Sequence, residues 1–417
     1  MRHPGALAIP LQPRRQTCPQ SDVPHRAATG RYTIALSMHI ELSQEQHLLR
    51  GSIREFAEAE LRPHVREWDD AQAIPREVLH RCAALGLMGI QVEEAYGGAA
   101  MSTVDYCICI EELARVDPSV CLSIAAHNGL GTAHIAAFGN EAQKSRYLPS
   151  LARGETLSAW ALTEAGAGSD AGAMRTTATR DGDDWVLDGT KQFITHGGSA
   201  EVLVVMAVTN RAQGSRGISA FVVDRGTPGL RTGRKEDKLG MRASETCEVI
   251  LEGCRVPGSQ LLGAEGRGFI DALQVLDAGR VGIAALAVGL AQGAFEAARH
   301  YALARRQFGQ PIATFQSIRA KLVDGAARID ASRLLTFRAA AMKDAGMRTT
   351  LQAAMAKLYS SESAVRVAED GVQIHGGYGF VKDYPAEKFF RDVKLTTIGE
   401  GTSEIQRLVI ARQLLAV

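Results

Sequence analysis

Apolar residues beyond Leu42 recur at three- and four-residue spacing, the repeat of one helix face. Ser43 and Gln46 form a capping box that opens this first run and carries it toward Pro63. A second helix is predicted from about Arg76 to Leu87. After the turn Tyr96-Gly97-Gly98 the helical spacing returns over Asp105 to Val116, Ser119 to Phe138 and Glu141 to Leu151. The texture changes after Gly154. Trp185 to Ile194 reads as two extended runs around an Asp188-Gly189 hairpin turn, and Val202 to Val208, Ile218 to Val223 and Glu248 to Val256 are further β-branched runs bounded by turn residues. Beyond Gly266 the helical periods are long: Phe269 to Arg306, Phe315 to Ala345, Thr349 to Ile374 and a closing stretch from Ser403 to Leu415.

The pattern predicts a mostly α chain with a central β domain. Residues 41–155 form an N-terminal helical domain, 156–262 a middle antiparallel β domain and 263–417 a C-terminal four-helix bundle. Strands and helices do not alternate, so a doubly wound nucleotide fold is not indicated.

Composition narrows the partners. Lys and Arg number 47 against 46 Asp and Glu, and no basic run interleaved with aromatics occurs, which disfavours nucleic acid and anionic membranes. Seven cysteines without a CxxC pair point to a reducing compartment and to neither a disulfide framework nor a metal site; Cys107 and Cys109, two apart on a helix, face different ways. No continuous run of ~18 apolar residues is present, so no membrane span is expected. Residues 1–40 are set apart. They are rich in arginine and proline with Asp22 the one acid among the first 37, which fits a disordered tail, a start at Met38, or a transit peptide. The expected location is the cytoplasm of a bacterium, or the mitochondrial matrix if that extension is a transit peptide.

Three segments carry candidate chemistry. The segment Thr163 to Asp170, with Ala171 after it, reads GxGxxA at Gly166, Gly168 and Ala171, but a hairpin follows instead of a helix, so the dinucleotide fingerprint is rejected. A glycine-bent loop offering amides and the Thr163 and Ser169 hydroxyls to a flat polar cofactor is the alternative to an ordinary surface loop. Gln373 to Phe380 places three glycines after a long helix, more than a C-cap requires. In Gly399-Glu400-Gly401-Thr402-Ser403, a capping box from Ser403 to Gln406 puts Glu400 just outside a helix N-terminus, where the dipole favours its ionised form. Taken singly, a solvated carboxylate is the plainer reading.

Together these segments resemble the acyl-CoA dehydrogenase family over residues 41–417. The landmarks are Ala161 to Asp170, Lys191 to Gly197, Lys238 to Ser244, Arg305 to Gly309, Gln373 to Phe380 with Tyr384-Pro385 and Arg391-Asp392, and Glu400 to Arg407, in that order. The resemblance implies FAD as cofactor and Glu400 as the base that takes the α-proton of an acyl-CoA thioester while a hydride passes to flavin N5. It implies that Leu162, Thr163, Gly168, Ser169, Phe193, Ile194 and Thr195 contact the flavin, with Phe193 over the ring and Thr195 near N5. Arg305, Phe308, Gln316, Gln373, Ile374, Gly376, Gly377, Thr402 and Glu404 complete the FAD site, Arg305 reaching the pyrophosphate held by a neighbouring subunit. Ser169, Asp277, Arg280 and Gly401 would line the acyl-CoA channel. A divided cofactor site implies a homo-oligomer, usually a tetramer in this family. Electron-transfer flavoprotein is the implied acceptor, since the chain lacks the extra domain of the acyl-CoA oxidases. Fatty-acid β-oxidation or amino-acid catabolism is the implied setting.

Some relatives carry the base one residue before the arginine equivalent to Arg280, where this chain has Gly279; only Glu400 offers a carboxylate. Departures from the family pattern are Phe193 for a frequent tryptophan, His196 for asparagine and Gly399 for tyrosine. His196 is read as structural. Ala126 to Gly129, at the expected end of the acyl pocket, looks like short-chain and branched-chain members. The rival readings are a non-catalytic flavin-containing member, and another flavin reaction on the same scaffold such as nitroalkane oxidation or decarboxylating glutaryl-CoA oxidation.

Overall fold

The computed structural model describes residues 41–415. The N-terminal extension and Cys18 lie outside the described residues. The first unit is helical: α1 (Gln44–Phe56), α2 (Val65–Ala71), α3 (Arg76–Ala84), α4 (Thr103–Val116), α5 (Pro118–Ala126), α6 (Ala133–Phe138) and α7 (Glu141–Ala152). Ser43 opens α1 with the expected capping box, and Ser102–Asp105 and Asn140–Gln143 do the same for α4 and α7. The single helix expected over Ser119 to Phe138 is interrupted. His127–Thr132 widens into a π turn between α5 and α6, a distortion that recurs at functional sites.

The β unit is one eight-stranded sheet: β1 (Ser158–Ala161), β2 (Thr177–Asp181), β3 (Asp184–Thr195), β4 (Val202–Val208), β5 (Ile218–Asp224), β6 (Leu230–Lys235), β7 (Thr246–Pro257) and β8 (Leu261–Leu262). The order is β6-β7-β3-β2-β4-β5-β8, with β1 on β4. All seven residues of β4 are buried, as a continuous β-branched run requires at the centre of a sheet.

Two expectations are corrected here. The sheet is mixed, because β1 runs parallel to β4 and β2 meets β4 in parallel at Thr177 and Val208; the intervening β2–β3 hairpin returns the chain in the same direction. The hairpin turn is not at Asp188-Gly189. It lies one Asp-Gly dipeptide earlier, where Asp181 pairs with Asp184 across Gly182-Asp183, and β3 runs straight through Asp188. Gly189 serves a different need: a Cβ there would collide with Thr176, and the β3–β7 register slips beside it.

The last unit holds α8 (Gly268–Ala304), a ribbon of β9 (Arg306–Gln307) and β10 (Gln310–Pro311), α9 (Gln316–Asp344), α10 (Thr350–His375), α11 (Ala386–Asp392) and α12 (Ser403–Leu415). The helices α8, α9 and α10 pack on one another, α12 lies on α10, and α4 crosses α8. Contrary to the expectation from sequence, α8 has an 18-residue window of mean hydropathy 1.5, apolar enough to cross a membrane by length and composition; 78% of it is buried inside the protein, as in a core helix. Close packing explains its small residues. A Cβ on Gly289 or Gly293 would strike the Glu111 or Arg115 carbonyl of α4, so glycine lets the two backbones touch. Cys82, Cys107, Cys109, Cys121, Cys247 and Cys254 are all free and buried, so Cys107 and Cys109 are both packing residues on a helix enclosed on every side.

Candidate active site

Glu400 sits in the turn between a short helical stretch (Val393–Thr397) and α12. Its backbone is left-handed, φ 52°, followed by Gly401 at φ 94°. A glutamate in that region is strained by about 1 to 3 kcal/mol, a cost typical of residues held for function. The box expected from Ser403 and Gln406 does not form. Thr402 caps α12, its hydroxyl accepting from the Ile405 amide at 3.3 Å, while the Ser403 hydroxyl is buried without a partner. Gln406 instead donates its Nε2 to the Gly401 carbonyl at 2.9 Å and the Glu400 carbonyl at 3.4 Å, because the left-handed turn aims both carbonyls back at it.

The turn drives the Glu400 side chain into the helical unit. Oε2 is buried with no hydrogen-bond partner, and a Cβ on Gly279 of α8 would overlap it. Gly279, the alternative position considered from the sequence, and Glu400 therefore meet at one place in space, and the bare backbone of Gly279 makes room for the carboxylate. Beside it on α8, Arg280 is buried and bonded to Asp277, whose other oxygen accepts from Thr350 Oγ1 at 2.7 Å. Arg280 Nε has no partner among the described residues.

Two residues not singled out from the sequence complete the surroundings. Lys357 of α10, wholly buried, donates its Nζ to the Gly401 carbonyl at 2.8 Å. Tyr106 of α4 is buried, its hydroxyl 2.7 Å from where a Cβ on Gly282 would lie and 3.5 Å from one on Gly129. A signal for Lys357 was available: it interrupts the small-residue face Ala353, Ala354, Ala356, Ser360, Ser361, Ala364, where no solvated lysine belongs.

Burial dominates the electrostatics. It pushes the Glu400 carboxyl up to about 7, with Lys357 and then Arg280 pulling the other way. The helix dipole, expected from sequence to favour the carboxylate, is thus outweighed by burial. The same burial pulls Lys357 down to about 8 and, with Glu400 nearby, raises Tyr106 well above its ordinary value.

The residues expected at the flavin fall into two sets. In the β unit, the carbonyl of buried Leu162 accepts from Lys191 Nζ at 3.1 Å, and the Thr163 carbonyl accepts from the Gln192 amide at 2.8 Å. Lys191, itself fully buried, also pairs with Glu164, and Glu164 holds the Arg175 and Thr176 amides, so the glycine-bent loop is pinned to β3. Gly168 and Ser169 are exposed on it. A register slip in β3 between Lys191 and Ile194 leaves Phe193 at φ 59° and 58% exposed, while Ile194 is buried and Thr195 half-buried. Such a bulge re-aims a side chain. His196 is buried, its Nδ1 facing the Ser158 carbonyl at 3.2 Å, and burial lowers its pKa.

The second set borders a cleft of about 870 Å³ at the ends of α8, α9 and α10, lined by Arg305, Phe308, Ile374, Gly376 and Gly377, and by no residue of the β unit. Phe308 is 92% exposed, and Arg305 lies over the Tyr378 ring at 5.5 Å. Gln316 and Gln373 are exposed nearby on α9 and α10. Thr402 and the exposed Glu404 belong to the α12 end, with Glu400. One chain therefore does not unite all these residues around one space. Both sets fit a flat, anionic cofactor: a Cβ on Gly166, Gly168, Gly376 or Gly377 would meet nothing within 4 Å, leaving backbone open to a ligand, and each set has an exposed aromatic side chain, Phe193 in the first and Phe308 in the second.

At the π turn, His127 and Asn128 direct their polar atoms to the protein. Asn128 bonds to Leu87, Ile90 and Ile124 backbone, and His127 to Leu151 and Ser158.

Comparison with known proteins places these features. Models of the acyl-CoA dehydrogenase N-terminal, middle and C-terminal domains match residues 43–155, 159–254 and 266–415. The chain is 43% identical over 377 residues to the short-chain specific acyl-CoA dehydrogenase of Clostridium acetobutylicum, covering 90% of this chain and 100% of that one. It superposes on butyryl-CoA dehydrogenase from Megasphaera elsdenii with TM-score 0.89 and 40% identity, over 91% of this chain and all of that one. A chain in the structure described as electron transferring flavoprotein of Acidaminococcus fermentans matches with TM-score 0.90 and 43% identity, over 91% and 100%.

Proposed function

The chain belongs to the acyl-CoA dehydrogenase family and is an FAD-dependent oxidoreductase acting on acyl-CoA; on that premise we propose that it converts a short acyl-CoA to the trans-2-enoyl-CoA, with Glu400 as the base. The observation that carries this is the Glu400 carboxylate: forced inward by a left-handed turn in a half-buried residue, its Oε2 buried without a hydrogen-bond partner and seated against the bare backbone of Gly279.

The α-proton of a thioester is weakly acidic, so its removal needs a positioned base and a donor on the carbonyl oxygen. Glu400 takes the proton on its carboxylate. Its own backbone amide is the protein donor to the thioester oxygen, a pairing that fixes base and oxyanion donor in one residue. A base that ionises near neutrality suits the task, because a buried carboxylate is a stronger proton acceptor than a solvated one. FAD, when bound, supplies the acceptor for the hydride that leaves the β-carbon. Phe193 would cover its ring and Thr195 would bond beside it, while Thr163, Gly168 and Ser169 would hold it along the loop that Lys191 and Glu164 anchor. Asp277 and Arg280 face the acyl-CoA.

Relatives named for short-chain substrates and for butyryl-CoA support a short acyl group, and Tyr106 closing on Gly129 and Gly282 supports it from this chain's own residues. The exposed Arg305 and Phe308 cleft, apart from the β-unit set, supports a cofactor site completed by a neighbouring copy. Electron-transfer flavoprotein is the proposed acceptor, supported by the likeness to the Acidaminococcus chain. Anaerobic mixing with butyryl-CoA should bleach the bound flavin. A flavin that stays oxidised with every short and branched thioester tried overturns the reading in favour of a structural flavin.

A further inference from the structure

Lys357 is an unusual residue to find where it is. Its helix face is otherwise alanine and serine, it is 0% exposed, and among the described residues no carboxylate lies within ion-pair distance of it. Its one hydrogen bond goes to the carbonyl of Gly401, the residue directly after Glu400. A buried ammonium without a close counterion is costly to fold around, so its retention in the core calls for a reason beyond packing.

We propose that Lys357 is a positioning residue for the reaction: its ammonium locks the left-handed Glu400-Gly401 turn through the Gly401 carbonyl and supplies the positive field that lets the base ionise inside the protein. The tether is shared, since Gln406 holds the same carbonyl from α12. The charge is not. The groups facing Glu400 are Lys357 from α10, Arg280 from α8 and the neutral phenol of Tyr106 from α4. Arg280 already has Asp277 as its partner, which Thr350 holds in place. Of these two cations, Lys357 is therefore the one whose charge no bonded carboxylate offsets. The groups facing Lys357, besides Glu400 and Arg280, are Glu404 on α12 and Glu362 on its own helix. Burial lowers Lys357 toward 8, and Glu400 is first among the charges that oppose that lowering, in agreement with this placement.

This inference rests on Glu400 being the base, and the experiment separates the two. Flavin-loaded wild type, Lys357→Met, Lys357→Gln, Lys357→Arg and Glu400→Gln are compared by the pH profile of kcat/KM with butyryl-CoA and by flavin content. In wild type the acidic limb reports ionisation of the base and should lie near pH 7. Removing the charge should move that limb up by about one pH unit, since an opposite charge a few ångströms away lowers a carboxyl by about 1 to 3 units. Lys357→Arg should leave the limb in place. Lys357→Gln keeps a polar donor, so it reads the loss of charge with less damage to the turn, and it stands in if the Met chain does not fold. A limb unmoved in whichever neutral variant folds, with turnover lowered equally at all pH values, overturns the proposal and leaves only a structural tether. Near-normal turnover in Glu400→Gln overturns the base assignment itself, whatever the Lys357 variants do.

Discussion

Replacing Glu400 with glutamine should destroy turnover and at the same time stabilise the protein, and the second effect has a pH signature that the first lacks. Glutamine keeps the shape of the side chain and removes its charge. For activity, loss of a positioned general base costs about 10² to 10⁴, so a fall in kcat of about 10³ is expected with FAD and acyl-CoA still bound. For stability, the carboxyl is raised from 4.5 to about 7 by burial. At about 1.4 kcal/mol per pH unit, holding the ionised form in the fold costs about 3 kcal/mol. The sign follows from the raised pKa. Below about pH 4.5 the carboxyl is protonated in both folded and unfolded chains and the penalty is absent. It grows between there and about pH 7, and it is level above. The neutral variant escapes it throughout. Denaturant or thermal unfolding of the flavin-loaded pair at about pH 5 and about pH 8 should therefore show the glutamine variant gaining by about 2 to 3 kcal/mol more at the higher pH. An equal gain at both values, or none, would show that the carboxylate is not buried as described. Turnover within about tenfold of wild type would show that it is not the base.

Gly279→Ala places a methyl group on the Glu400 carboxylate, so kcat should fall by at least an order of magnitude while flavin content stays near wild type; unchanged turnover sinks the assigned position of the base. Tyr106→Ala removes a ring that closes on Gly129 and Gly282, and kcat/KM should shift from butyryl-CoA toward hexanoyl- or octanoyl-CoA. A ratio that does not move means the acyl chain ends elsewhere. Arg305→Ala should lower flavin retention and weaken the oligomer, read by absorbance ratio and sedimentation; full retention in both refutes a shared site at that cleft.

How far the fold was legible depended on whether a run had one dominant use for its side chains. The long periods of α8, α9 and α10 and the continuous apolar run of β4 each have a single solution, and they form within a few residues of where the periodicity put them. Turn chemistry was less decisive, because the same signal occurs twice. Asp181-Gly182 and Asp188-Gly189 are both hairpin dipeptides, and what separates them is the close approach of Thr176 to Gly189, a contact between residues on different strands. Local propensity cannot see it. The Ser403–Gln406 box failed for the same reason: the left-handed turn at Glu400 and Gly401 presents carbonyls that outcompete the local partner for Gln406.

The site shows the same division more sharply. Glu400, Gly279 and Arg280 could be marked from motif and order, but the protonation behaviour of Glu400 could not. Along the chain Glu400 is an acid at a helix N-terminus, where aligned amides favour charge by about 0.3 to 1 kcal/mol. In space it is an acid walled in by α4, α8 and α10, where burial outweighs that benefit and the carboxyl rises to about 7. The helices that bury it lie both near it and far from it along the chain, α4 and α8 ending well before α12 begins, so its ionisation is set by the fold rather than by the motif. Lys357 is the counterpart of that argument. A lysine on a face of alanine and serine contradicts its surroundings, and a residue that breaks a local rule without a local gain points to a remote one. The gain proposed here is a cation facing the Glu400 carboxylate.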